Sequence, residues 1–124
     1  MAKERRNQPR YDIVAQIRVK RGRVNYLMDV RNISMSGAFI SSDKLSEFSW
    51  VREGTQMDLH LFDLEDLRSV EVQAVIVRVV GPEGPGREGF GVHFEGLDPD
   101  QKQSLFELVA YASTQSIHPP PLPG

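Results

Sequence analysis

Two clusters of polar residues have the types and spacing to do chemistry. In Arg6-Asn7-Gln8-Pro9-Arg10, two guanidinium groups stand four residues apart, with Arg5 as a third beside them. Guanidinium forks take phosphate oxygens two at a time and lie flat on ring systems, which lysine does poorly. Pro9 fixes its own φ and biases Gln8 away from helix, so the pair is expected on an extended leader able to wrap a ligand. The second cluster is Asn32-Ile33-Ser34-Met35-Ser36-Gly37. Asn32 and Ser34 are two apart, so on a strand both leave one face while Ile33 leaves the other. Gly37 permits positive φ or the close approach of a flat group. Each cluster alone also has an ordinary structural reading: arginines in a solvated leader, and a Ser/Asn-rich turn closed by glycine.

Charge distribution adds to the first cluster. Residues 1–31 hold nine of the fifteen Lys and Arg against three acids, a local +6, so with a net charge of −2 the other 93 residues carry −8. Such asymmetry suits an anion-binding region on an acidic body, and equally an exposed basic tail. An acidic chain argues against a nucleic acid polymer as partner, since DNA binding needs many phosphate contacts. Aromatics are scarce in the basic segment, which disfavours a single-strand RNA barrel. With no cysteine, disulfides, thiolate zinc sites and thiol nucleophiles are excluded. His60, His93 and His118 show no metal-ligand spacing, so no metal is expected. Asp63, Glu65 and Asp66 lack calcium-loop spacing and read as a solvated acidic loop. No nucleophile elbow, phosphate-cradling loop or paired acid and base is present, so no catalytic residues are assigned. Apolar runs are far shorter than the ~20 residues that span a bilayer. The basic N-terminus is not followed by an apolar run, so no signal peptide is expected and a cytoplasmic location is the default.

The elements that must position these clusters are mostly strands. Residues 1–10 lack periodicity and read as a flexible basic leader. Ile13, Ala15, Ile17 and Val19 alternate with Val14, Gln16, Arg18 and Lys20, a half-buried strand. Arg21-Gly22-Arg23 makes a turn, and further strands run from Val24 to Ser34 and from Gly37 to Ser41. Val30 shares the parity of Asn32 and Ser34 yet is apolar, so the alternation breaks near Arg31 and a bulge is expected there. Residues 42–55 form a long connection with a short helical turn, whose Leu45, Phe48 and Trp50 either cover one end of the fold or form an exposed contact patch. Met57, Leu59 and Leu61 mark a fourth strand, Val70–Val80 a fifth, and Phe90–Phe94 a sixth, in which His93 faces out. The 81–86 segment is a Gly/Pro loop. Asp98 as N-cap, Pro99 at the first position and Gln101 as its capping-box partner start a helix to Ser113, with Leu105, Phe106, Leu108, Val109 and Ala112 as its apolar face. Residues 114–124 are too rich in proline for either element and read as a disordered tail. The folded domain is thus expected over 11–113. Six short strands with one closing helix suggest a mainly β, six-stranded antiparallel barrel, because closure removes exposed edges.

Arg-x-x-x-Arg before the first strand and Asn-x-Ser-x-x-Gly between the second and third resemble the two sequence signatures of the PilZ family. Gly89-Phe90-Gly91-Val92-His93-Phe94 and the capped helix look like the family's last strand and terminal helix, so the resemblance spans roughly residues 5–112. It implies a barrel that binds cyclic di-GMP on its outer wall and needs no further cofactor. Leader arginines would clamp the ligand and the strand motif would line the barrel side, roles that fall on Arg6, Arg10, Asn32, Ser34 and Gly37. Guanidinium groups are suited to guanine O6 and N7 as well as to phosphate. Arg5 suits a ligand bound as a stacked pair of molecules; its alternative is a solvated arginine. The resemblance further implies a receptor that is not an enzyme and acts through an unidentified effector protein in motility, biofilm or similar control, without membrane insertion. The competing reading is a PilZ-like adaptor that contacts proteins and binds no nucleotide.

Overall fold

The computed structural model describes residues 14–65, 67–82 and 88–117. Six strands form: β1 (Ala15–Arg21), β2 (Val24–Ile33), β3 (Gly37–Ser41), β4 (Gln56–Phe62), β5 (Ser69–Val80) and β6 (Gly89–Glu95), followed by the helix α1 (Pro99–Ile117). They close into an antiparallel barrel in the order β1-β2-β3-β6-β5-β4, with β4 returning to β1. The alternation in β1 sends Ala15, Ile17 and Val19 inward, where all three are fully buried, while Gln16 and Arg18 stay half-buried and Lys20 is exposed. Val14, expected on the face of Gln16, precedes the strand and is buried, and Ile13 lies outside the described residues. The β1–β2 hairpin pairs Arg21 with Val24, leaving a two-residue loop whose first position is Gly22 at φ 65°. Two-residue hairpins need that left-handed conformation to match strand twist, and glycine adopts it without a Cβ penalty.

The barrel interior holds Ile17, Val30, Ile40, Leu59, Leu61, Ile76 and Phe90, each with almost no exposed surface. Burying a side chain of this size contributes about 1.5–3 kcal/mol, so this layer is the main source of stability. Near the start of β6 the 42–55 connection covers the barrel. Leu45 is buried there, and Phe48 and Trp50 pack on the core. Tyr26, Phe48 and Trp50 cluster at centroid distances of 4.9–5.6 Å, with Phe48 and Trp50 stacked and Tyr26 tilted against both, and Trp50 meets Phe90 edge-on at 5.9 Å. The end-covering reading of these aromatics is therefore the one the fold adopts.

The other end of β6 leads into α1. Its start is a reciprocal capping box: Asp98 Oδ1 accepts from the Gln101 N–H at 2.7 Å, and Gln101 Oε1 accepts from the Asp98 N–H at 2.8 Å. Leu105, Leu108 and Ala112 are buried against the barrel. Phe106, expected on the same face, is 58% exposed. A helix turns about 100° per residue, which carries Phe106 off the arc centred on Leu105, Leu108 and Ala112. The helix also runs to Ile117, four residues beyond the expected Ser113. The intervening Thr114, Gln115 and Ser116 include neither Gly nor Pro, and the first proline of the tail is Pro119.

The acidic loop departs from expectation at Asp63. Rather than being solvated, this carboxylate is 1% exposed. Its Oδ1 accepts from the Glu65 and Leu67 N–H groups at 2.9 and 3.0 Å, and Arg68 donates to Oδ2 at 2.8 Å. Burial alone would push its carboxyl up. The hydrogen bonds from Leu67, Arg68 and Glu65, with the charge of Arg68, outweigh that effect and hold it below the ordinary carboxylate range. Arg68 in turn lies 4.3 Å over the Tyr111 ring, tying the β4–β5 turn to α1. Glu65 is exposed as expected, and Asp66 lies outside the described residues.

Candidate functional site

The polar strand motif sits where β2 passes into β3, and a β-bulge shapes it. Register runs from Val30↔Ile40 to Asn32↔Phe39, so Arg31 is the residue inserted at the bulge. The bulge lets Val30 point into the core while Asn32, two positions on, points out; Val30 is fully buried and Asn32 exposed. This is the break in alternation expected from the sequence, and its effect is to re-aim Asn32 onto the outer wall. The Arg31 Nε donates to Ser41 Oγ at 3.0 Å, bridging β2 and β3 beside the bulge.

Strand β2 ends at Ile33, so Ser34 stands in the turn rather than on the strand. Its N–H donates to the Gly37 carbonyl at 2.8 Å. Its Oγ accepts from the Ser36 and Gly37 N–H groups at 3.2 and 3.3 Å and lies 3.1 Å from Ser36 Oγ. A hydroxyl that takes two successive backbone donors fixes the turn's shape. Ser34 thus acts first on the backbone, presenting Asn32, Met35 and Ser36 to solvent. Gly37 faces outward on β3, paired with His93. A Cβ at Gly37 would overlap the Val92 carbonyl oxygen, so the glycine also allows β3 and β6 to approach. His93 is exposed on the outer wall beside it, as its alternation required.

Asn32, Ser34 and Gly37 are therefore brought together on the outside of the barrel. Arg5, Arg6 and Arg10 lie outside the described residues. Sequence reasoning missed the continuation of this surface. Asn32 pairs with Phe39, Phe39 with Gly91, and Gly91 with Arg78, so one cross-strand row of outward positions runs from β2 to β5. The Arg78 guanidinium lies 5.4 Å over the Phe39 ring. The sequence signal was present in Gly89-Phe90-Gly91, two glycines at outward positions of a strand, a placement that often marks close approach of another group. A separate depression of about 330 Å³ is lined by Lys20, Asp58, Glu71, Gln73, Glu95 and Gln101. With three carboxylates against one ammonium its sign is wrong for a phosphate ligand.

Among the described residues no group of three or more His, Cys, Asp or Glu is placed to hold a metal ion, and no helix is long and apolar enough to cross a membrane. The barrel is closed and its interior is filled by side chains, so the hydroxyl-fixed polar turn stands on the outer wall. The PilZ domain family model matches residues 4–111, nearly the whole chain, and the chain belongs to the PilZ family. That family comprises receptors for cyclic di-GMP that are generally not enzymes. No curated protein matches the chain.

Proposed function

We propose that this barrel is a receptor for cyclic di-GMP. The observation that carries the reading is the Ser34-fixed turn, which displays Asn32 beside the side-chain-free Gly37 on the outer wall. Asn32 supplies both a donor and an acceptor for the edge of a guanine. Arg6 and Arg10 supply the clamp on phosphates and bases, and Arg5 a third guanidinium suited to a second, stacked ligand molecule. Ligand binding draws the leader onto the wall and alters the surface offered to an effector protein in motility, biofilm or similar control. The protein works in the cytoplasm, where the messenger is made.

Isothermal titration of the purified chain with cyclic di-GMP tests this, with GTP and cyclic di-AMP as controls. Saturable binding near micromolar, about −8 kcal/mol, is expected for cyclic di-GMP alone. Two ligands per chain supports the role given to Arg5, and one removes it. Absence of heat and of any thermal shift at high ligand concentration refutes the receptor reading in favour of a protein-contact adaptor.

A further inference from the structure

Three strand glycines face outward on β3 and β6, and two have internal reasons. A side chain at Gly37 would overlap the Val92 carbonyl, and one at Gly89 would overlap the Ile40 carbonyl and press on the Phe39 ring. Gly91 has none. Its φ is not in the left-handed region, and a Cβ there would meet nothing nearer than 3.9 Å, the distance to Arg78 Cβ and Phe39 Cδ1. Alanine would fit the fold, and strands disfavour glycine. Neither steric overlap nor backbone conformation requires a glycine here.

The surroundings of Gly91 are built. It occupies the outward row Asn32–Phe39–Gly91–Arg78, and a bulge brackets that row at each end. On β2 the extra residue is Arg31. On β5 register runs from Ile76↔Val92 to Arg78↔Gly91, making Val77 the extra residue. As Arg31 does for Asn32, Val77 allows Ile76 to be buried while Arg78 turns outward into the row. Gly91, half-buried, lies between Phe39 and Arg78, and the Arg78 guanidinium reaches across it to 5.4 Å from the Phe39 ring centroid. The row crosses three strand spacings, roughly 14 Å, the reach of a dinucleotide rather than of one base.

We propose that Gly91 is a specificity-determining position of the cyclic di-GMP site: its missing side chain leaves a flat window between Phe39 and Arg78 that receives the face of a guanine base, with the Arg78 guanidinium lifting off the Phe39 ring to stack on the base's other face. This rests on the receptor reading and extends its footprint from the β2–β3 turn across β6 to β5. A methyl group at position 91 lifts a planar base off the backbone, while leaving β6 free to pair.

The test compares cyclic di-GMP titrations of the wild type, Gly91→Ala and Gly91→Val, alongside ligand-free thermal melts of all three. Expected is a Kd raised about tenfold or more by alanine and further by valine, with melting temperatures equal to or above wild type. Wild-type affinity in Gly91→Ala overturns the window and leaves the receptor reading standing. A clear fall in the melting temperature of Gly91→Ala also overturns it, because the glycine would then serve the fold. Absence of binding by the wild type overturns both.

Discussion

Replacing Asp63 tests whether the buried carboxylate organises the β4–β5 turn. Asp63→Ala removes two backbone donors' acceptor and the partner of Arg68. Hydrogen bonds to an ionised group contribute about 1.5–3 kcal/mol each. The low end applies, because Glu65 and Leu67 are exposed and water can reach their turn, and part of the loss is offset by no longer burying a charge. The net cost is about 3 kcal/mol, which for a domain near 100 residues lowers Tm by on the order of 10–20 °C. Asp63→Asn should cost less, since its Oδ1 still accepts from the turn while its amide faces the Arg68 donors. Urea and thermal unfolding measure both. The pH dependence has a definite sign. The folded-state pKa is lowered, so the contribution is complete above the unfolded value of about 3.9 and is lost as pH falls through the lower folded value. The gap between wild type and Asp63→Asn should therefore hold at neutral pH and close below about pH 4. A loss under about 0.5 kcal/mol for Asp63→Ala at pH 7 would refute the reasoning.

Gly37→Ala should destabilise the barrel by about 2 kcal/mol or more, read by urea unfolding, because the added methyl meets the Val92 carbonyl oxygen of the paired strand. The same measurement on Gly91→Ala should show no loss, so the two glycines separate structure from recognition. Leu105→Ala should cost about 2–5 kcal/mol by opening a cavity where α1 covers the barrel. Replacing Arg6 and Arg10 together with alanine should abolish cyclic di-GMP heat in titration while leaving the ligand-free melting temperature nearly unchanged; a large drop would make these arginines structural.

What the sequence disclosed and what it hid divide along physical lines. The bulge at Arg31 was legible because a local pattern carries it: apolar Val30 and polar Asn32 share a parity they cannot share on a regular strand. The Asp98–Gln101 box was legible because its partners are three residues apart. The burial of Asp63 was not, since it depends on Arg68 and, through it, on Tyr111 more than forty residues away. The Phe39–Gly91–Arg78 row was hidden for a related reason. It exists only once β3, β6 and β5 are in register, and Val77 as the extra residue is invisible within a run of valines. Ser34 was expected on the strand but stands in the turn, because strand parity does not reveal that the strand has already ended.

The pairing of β3 with β6 also has a consequence in time. A chain made from its N-terminus releases Asn32, Ser34 and Gly37 long before His93 and Gly91 exist, and meanwhile β3 has only β2 as a neighbour. The whole of β4 and β5 must be synthesised before β6 can close the seam, so the outer wall is assembled by the last strand to emerge. A fragment cut within the 81–88 segment keeps the strand motif but loses the surface it belongs to. The recognition proposed for this wall thus requires the finished barrel, and on that reading an incomplete chain would have no means of answering the signal early.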